Sequence, residues 1–351
     1  MTSTYIRAAS CISAQNTLEV GSFLSNVVAY TGTRLSALEP DYKAFIDPKQ
    51  IRRMSHIIKM GVAAAQVCLK NAGVDMPGAI ITGTAYGCIE DTVTFLTRVI
   101  EMQEEMLPPT SFIQSTHNTV AAQIALMLQC HNYNNTFVHK GVSFENALVD
   151  AMMLLNEGEA DNILVGGTDE MTDTAFKILS RLGLYRRWPV SNLELYQPTG
   201  NGTIGGEGAA FCLLSAQKSN INLAELLGVK TFFKPGDTKA IEAQIIRFLA
   251  AHSLTMADID LIITGRNGDT RNDAVYNNLA TCFDHTKTGN YKHLCGEYPT
   301  STAFALWLAA NCIKTAAVPA TVVQTNIQPK KILIYNHYFN TYHSLMLLTA
   351  C

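Results

Sequence analysis

Short, almost continuously apolar runs alternate along this chain with stretches whose apolar positions recur every three or four residues. Runs at residues 79–83, 136–138, 162–166, 211–214, 261–264 and 332–335 are rich in Ile, Leu, Val and Phe, and most are closed by Gly or polar residues. That is the pattern of strands buried on both faces. Between them a helical period runs over residues 51–72, 93–104, 119–128, 144–157, 241–249 and 301–315. Strand and helix alternating from end to end predict α/β layers. No long Pro, Ser or Gly linker divides the chain, and the softest boundary is residues 215–221, after which a new strand, helix and strand series begins. The pattern therefore predicts one body of two interlocked α/β halves, residues 1–216 and 217–351.

Composition narrows the function classes. With 351 residues, 48% hydrophobic and 16% charged, the chain can bury one large core or two moderate ones, which excludes a disordered protein. The 26 basic residues do not exceed the 29 acidic ones, so no basic excess exists to hold a polyanion, which argues against a nucleic-acid partner. Nine cysteines, at 11, 68, 88, 130, 212, 282, 295, 312 and 351, are scattered and form no CxxC pair, which predicts a reduced compartment and no zinc site. No apolar run reaches the ~18 residues of a membrane span, and the first residues show no leader pattern. The expectation is a soluble, cytoplasmic protein with no metal and no cofactor.

One segment carries chemistry. The strand at 136–138 runs through His139, Lys140, Gly141, Val142 and Ser143 into a helix with Phe144, Ala147, Leu148, Ala151 and Leu155 at helical spacing. Such a turn presents its residue at a helix N-terminus, where free N–H groups and the macrodipole stabilise a thiolate or an oxyanion. The seat of a nucleophile, position 141, is a glycine.

Here the sequence resembles the β-ketoacyl synthases of the thiolase-like fold. In that family a cysteine sits on such a turn, and a GDAD-type segment, a strand and GG follow. This chain has Gly158-Glu159-Ala160-Asp161 and then Asn162 to Gly167, and counting back without a gap places the family cysteine on Gly141. Arg52-Arg53-Met54 resembles the family's RRM, Gly206-Glu207-Gly208-Ala209 its MGEGAG turn, Lys292 and Gly296 its KxxxGH motif, and Asn336 the start of its NSFGFGGTN loop. The resemblance runs from about Arg52 to the end, and several weak motifs in the right order are more specific than any one. It implies a five-layer αβαβα sandwich made of two related halves.

The same resemblance implies which groups are missing. The family condenses acyl chains with a Cys nucleophile and two His residues that bind the thioester carbonyl and promote decarboxylation. The first His falls on Gly265 and the second on Glu297, and the carboxylate that follows nine residues later falls on Leu306. The segment Asn336 to His343 keeps its asparagine and loses its glycines, so it is expected to plug the space, with Ser143, Lys292, Asn336 and Phe339 around a vestigial pocket. A degenerate ketosynthase of this kind resembles the chain-length factor of type II polyketide systems, and its short length resembles the small partner subunits of aryl-polyene and related pathways. The expected partners are an active ketosynthase, as a heterodimer, and an acyl carrier protein, in fatty acid or polyketide-type biosynthesis. The expected tunnel and interface residues are Phe112, His117, Thr119 and Val138, with residues 108–128 and the strand at 135–138 against the partner.

Milder readings compete at several positions. Ser143 as a relocated nucleophile is set against Ser143 as a helix N-cap, which is the commoner role. His117 and His139 as bases are set against hydrogen-bonded structural histidines. Glu297 as an acid or base is set against pairing with Lys292 or His293. Arg181, Arg186 and Arg187 are a weak hint of carrier-protein docking, since a charge run is usually a solvated loop. Met102 and Met106 suggest a pliable acyl cavity, or ordinary core filler. The alternatives to a non-catalytic subunit are a thiolase-fold acyltransferase or decarboxylase with a relocated nucleophile, and a homodimeric acyl-binding scaffold.

Overall fold

The computed structural model describes residues 3–18, 23–197 and 200–351. Its principal strands are β1 (Tyr5–Ile12), β2 (Ala79–Gly83), β3 (Tyr133–Phe137), β4 (Asn162–Asp169), β5 (Gly208–Ser215), β6 (Ala224–Phe233), β7 (Leu261–Thr264), β8 (Lys287–Asn290), β9 (Lys331–Tyr338) and β10 (Tyr342–Thr349). The main helices are α1 (His56–Ala72), α2 (Ile89–Glu101), α3 (Pro109–Gln114), α4 (Thr119–Leu128), α5 (Ser143–Glu157), α6 (Asp173–Arg181), α7 (Thr238–Ala251), α8 (Thr270–Asn278) and α9 (Thr302–Thr315).

The strands lie side by side in the order β8-β7-β9-β10-β6-β1-β5-β4-β2-β3. Divided between β6 and β1, both sets of five repeat one topology: first strand, last, fourth, second, third. In each set the first strand pairs antiparallel with the last, the last antiparallel with the fourth, and the remaining pairs are parallel. The sets join through the short pairing of Tyr5 with Glu225 and Ile6 with Ala224.

Helix placement follows from which faces are apolar. All but one of the positions of α9 from Thr302 to Ile313 are buried, as expected of a helix enclosed on every side. With α5 it packs against strands of both sets, and Phe144, Leu148, Phe304 and Leu308 share one core with Val165 and Ile334. α1 covers the outer face of the N-terminal set, where Ile57 and Ala64 meet Phe211 and Leu213. α7 and α8 cover the outer face of the C-terminal set through Ile245, Phe248 and Tyr276. The result is the expected α/β fold with helix, sheet, helix, sheet and helix in layers. Among the described residues no helix is long and apolar enough to cross a membrane.

Several elements differ from the expectation. The helix at 51–72 is divided: Asp47 caps a single turn at Pro48–Ile51, the chain unwinds through Arg52 and Arg53, and α1 starts afresh after Ser55. β1 and most of β10 lie outside the apolar runs. β3 begins at Tyr133 and ends at Phe137, so Val138 lies beyond it. Its residues Tyr133 and Asn134 are exposed because β3 is the outer strand of its set, and an edge strand needs no apolar run.

Candidate functional site

The turn between β3 and α5, expected to seat a nucleophile, carries a glycine at position 141. A single tight helical turn, Lys140–Val142, brings buried Gly141 to the start of α5. A Cβ added at Gly141 would fall on the Tyr338 side chain, 2.5 Å from its Cγ and 3.0 Å from its Cδ1. Tyr338 ends β9 and comes from the opposite half of the molecule, and its hydroxyl lies 3.2 Å from that of Tyr86. Burial pushes both phenols above their ordinary pKa, so both are neutral fillers.

The other two positions are filled in the same manner. A Cβ at Gly265 would meet the Asn336 side chain and come within 2.7 Å of the Tyr276 hydroxyl. Asn336, 3% exposed, takes this space and accepts from the Tyr291 hydroxyl at 3.4 Å. At the third position Lys292 Nζ donates to both carboxylate oxygens of Glu297 at 2.6 Å, and Asn267 Nδ2 donates to Oε2 at 2.7 Å. Lys292 is 1% exposed, so its charge has been taken out of water and requires this partner. His293 turns away, its Nδ1 3.1 Å from the Tyr196 hydroxyl.

The backbone explains why the KxxxGH-like and MGEGAG-like segments belong together. Gly296 has φ 76°, and a Cβ on it would lie 2.5 Å from Gly206 Cα. Glycine is required here twice over, for the dihedral and for the contact. The approach lets Glu297 N–H donate to Ile204 C=O at 2.9 Å and Gly206 N–H donate to Glu297 C=O at 3.0 Å. The space left over is a cavity of ≈270 Å³ bounded by Leu184, Tyr185, Asn267, Glu297, His337 and Tyr338. Among the described residues no group of three or more His, Cys, Asp or Glu is placed to hold a metal.

Residues 33–191 match the family model described as β-ketoacyl synthase, N-terminal domain. The chain has the fold of the thiolase-like ketosynthases. No curated protein matches it in sequence. Among solved structures it is similar to the ishigamide ketosynthase/chain length factor, with a TM-score of 0.84 and 18% identity over 100% of this chain and 99% of that one. A β-ketoacyl synthase from Burkholderia phymatum gives 0.81 at 16% identity, each chain covered completely. A type II polyketide synthase acyl-carrier protein in complex with its ketosynthase bound to the hexaketide gives 0.73 at 15%, again with complete coverage.

On this ketosynthase-like frame, several site residues need correcting. Ser143 is not the N-cap: it is the first residue of α5, 0% exposed, and its hydroxyl accepts from His139 N–H at 2.7 Å and donates to Lys140 C=O at 2.8 Å. Both roles of the hydroxyl are spent on the turn. The part of the hairpin over Gly141 is Tyr338, whereas Phe339 is 49% exposed and only borders the cavity. Phe339 and Asn340 adopt φ 53° and 48° and close a tight turn, with Thr341 N–H donating to Tyr338 C=O at 3.1 Å. The left-handed geometry of this turn is carried by two residues other than glycine.

His117 and His139 are exposed, not core histidines. Thr119 is buried, its hydroxyl donating to Thr116 C=O at 2.8 Å, and so faces away from any interface. Arg186 is 1% exposed and donates to the carbonyls of Gly202, Leu195 and Gly268, which removes it from any docking surface. Arg187 is exposed, but its guanidinium caps the end of α6 through Ser180 and Arg181 carbonyls at 3.2 Å, and Arg181 itself faces solvent. Met102 and Met106, 41% and 90% exposed, line no internal cavity. Phe112 and Val138 are 58% and 47% exposed, on the side of the molecule that ends in β3.

Residues missed in the sequence are Tyr338, Asn267 and Asp169. Asp169 is buried and accepts from Thr84, Ala85 and Tyr86 with one oxygen and from Thr300 N–H and hydroxyl with the other. Its place two residues past the GG, at the end of β4, is the available signal. Nothing in the local pattern marks Tyr338, because its role depends on a glycine almost two hundred residues away.

Proposed function

We propose that this chain is a non-catalytic, chain-length-factor-like subunit that pairs with an active ketosynthase and shapes the space in which its acyl or polyketide-type chain grows. The observation that carries the reading is the occupation of the nucleophile seat: Tyr338 stands on Gly141, while Asn336 and the Lys292–Glu297 pair fill the positions of the two histidines. The overall likeness to a ketosynthase/chain length factor structure supports it. A relocated nucleophile at Ser143 is disfavoured by the burial and double commitment of that hydroxyl.

The division at 216/217 is taken as the boundary of the two units, in keeping with their repeated strand order. The reading puts the partner at the open edge of β3, which Val138 follows, with Phe112 and Ile113 as further exposed apolar side chains. An open strand edge flanked by exposed apolar side chains invites pairing. The acyl carrier protein, present with its ketosynthase in one of the similar structures, is assigned to the side bearing Lys177 and Arg181. Aryl-polyene or fatty-acid context follows only from the sequence resemblance.

The test is co-purification of the chain with a ketosynthase that has an intact Cys and two His, followed by intact-mass analysis after incubation with acyl and malonyl carrier protein. The reading expects a stoichiometric complex in which only the partner gains an acyl group. A stable adduct on this chain, or a homodimer that ignores every such ketosynthase, overturns it.

A further inference from the structure

Glu145 takes no part in the site described above. It lies in the first turn of α5, two residues past Ser143, and is 0% exposed, yet neither carboxyl oxygen has a hydrogen-bond partner. The polar groups that bear on it are the hydroxyls of Thr302 in α9 and Ser344 in β10, which are buried and unpartnered themselves. The titratable groups that act on it are Lys292 and the phenol of Tyr291. Lys292 is already committed to both oxygens of Glu297 at 2.6 Å.

This arrangement decides the ionisation state. Two carboxylates and one ammonium leave a surplus negative charge among buried groups, and only one of the two acids has the lysine at hydrogen-bond distance. A carboxylate with only loosely placed hydroxyl donors bears most of the desolvation penalty, whereas the neutral acid bears a small part of it and gains an O–H to offer the neighbouring hydroxyls. The Ser344 hydroxyl, the residue's own N–H, the Thr302 hydroxyl and Lys292 favour the anion, but all are weaker than the desolvation of burial.

We propose that Glu145 is a proton site: the folded chain carries it as the neutral acid beside Ser344 and Thr302, takes up that proton on folding, and loses stability when rising pH removes it. Burial pushes its pKa up from 4.5 to about 7. The sign follows: the unfolded chain releases this proton near its ordinary pKa while the folded chain still holds it, so raising pH between the two values pulls the equilibrium toward the unfolded state. Glu145 is therefore no base for a relocated reaction, since it is sealed from solvent and substrate.

The experiment compares urea unfolding of the full chain and of Glu145→Gln between about pH 5 and pH 8. From the shift, the folded-to-unfolded ratio of the wild type should fall relative to the variant by a factor on the order of 10² across that range. The variant should equal or exceed the wild type at the alkaline end. If glutamine is not accommodated, Glu145→Met, unbranched and of similar length, is compared in the same way. Parallel pH profiles for wild type and variant would mean that the carboxyl is ionised in the folded chain, and would overturn the assignment.

Discussion

Placing a cysteine back on the nucleophile seat is the sharpest test of how this site is closed. In Gly141→Cys the new Cβ arrives 2.5 Å from Tyr338 Cγ, where no real Cβ sits, and the sulfur needs further room beyond it. Tyr338 cannot swing away freely, because its Cα belongs to β9 and its hydroxyl lies 3.2 Å from Tyr86. Overpacking of this kind costs about 1–3 kcal/mol. Tyr338→Ala alone leaves a void and costs about 3 kcal/mol. Together the two changes exchange one filler for another, so the double variant should be more stable than the sum of the singles by about 1–3 kcal/mol. Urea midpoints of the four proteins give this coupling directly. Thiol labelling gives a second readout: the introduced sulfur should react slowly in the single variant and faster once Tyr338 is truncated. Condensation should stay undetectable in both, since the missing imidazoles at 265 and 297 are each worth about 3–4 kcal/mol of transition-state stabilisation. Strict additivity of the two substitutions, or turnover by Gly141→Cys alone, would refute the reasoning.

Other expectations concern charges. Glu297→Gln should destabilise by about 3–5 kcal/mol because it strands buried Lys292, while adding Lys292→Met should restore much of the loss; equal midpoints for wild type and Glu297→Gln would sink the ion pair as a structural element. Arg186→Ala should cost on the order of 3 kcal/mol through its three carbonyl contacts. Arg181→Glu should leave the unfolding midpoint within about 0.5 kcal/mol and weaken carrier-protein binding in a salt-dependent way, seen by titration calorimetry; unchanged binding removes Arg181 from the docking surface.

How far the sequence could be read depended on the range of the interaction. Where a strand is buried on both faces, as at 162–166 or 261–264, the apolar run is its own signature, and the layers and their alternation follow from it. β6 was harder because its burial alternates along Ala224–Phe233, with Lys230 half-buried among apolar neighbours. β10 is obscured because Asn336 to His343 reads as a loop that plugs the space; the segment pairs instead as a hairpin, Asn336 opposite Ser344. The degenerate positions 141, 265 and 297 could be named from spacing, but not what fills them. Tyr338 reaches Gly141 and Asn267 reaches Glu297 only through the tertiary fold, and a buried arginine such as Arg186 looks like a surface one until its carbonyl partners are known.

The repeated five-strand halves give the filled site a mechanical meaning. An enzyme of this build must keep a hole in the seam between its halves, because substrate has to reach the groups that meet there. In this chain the seam is sewn shut: Tyr338 rests on Gly141 and touches Tyr86, Gly296 lies on Gly206, and Asp169 ties the Thr84 to Tyr86 loop to Thr300. Each of these contacts runs from one half to the other. Contacts of this kind weld the halves together, so neither half should open without the other, and heat or denaturant should melt both in one step.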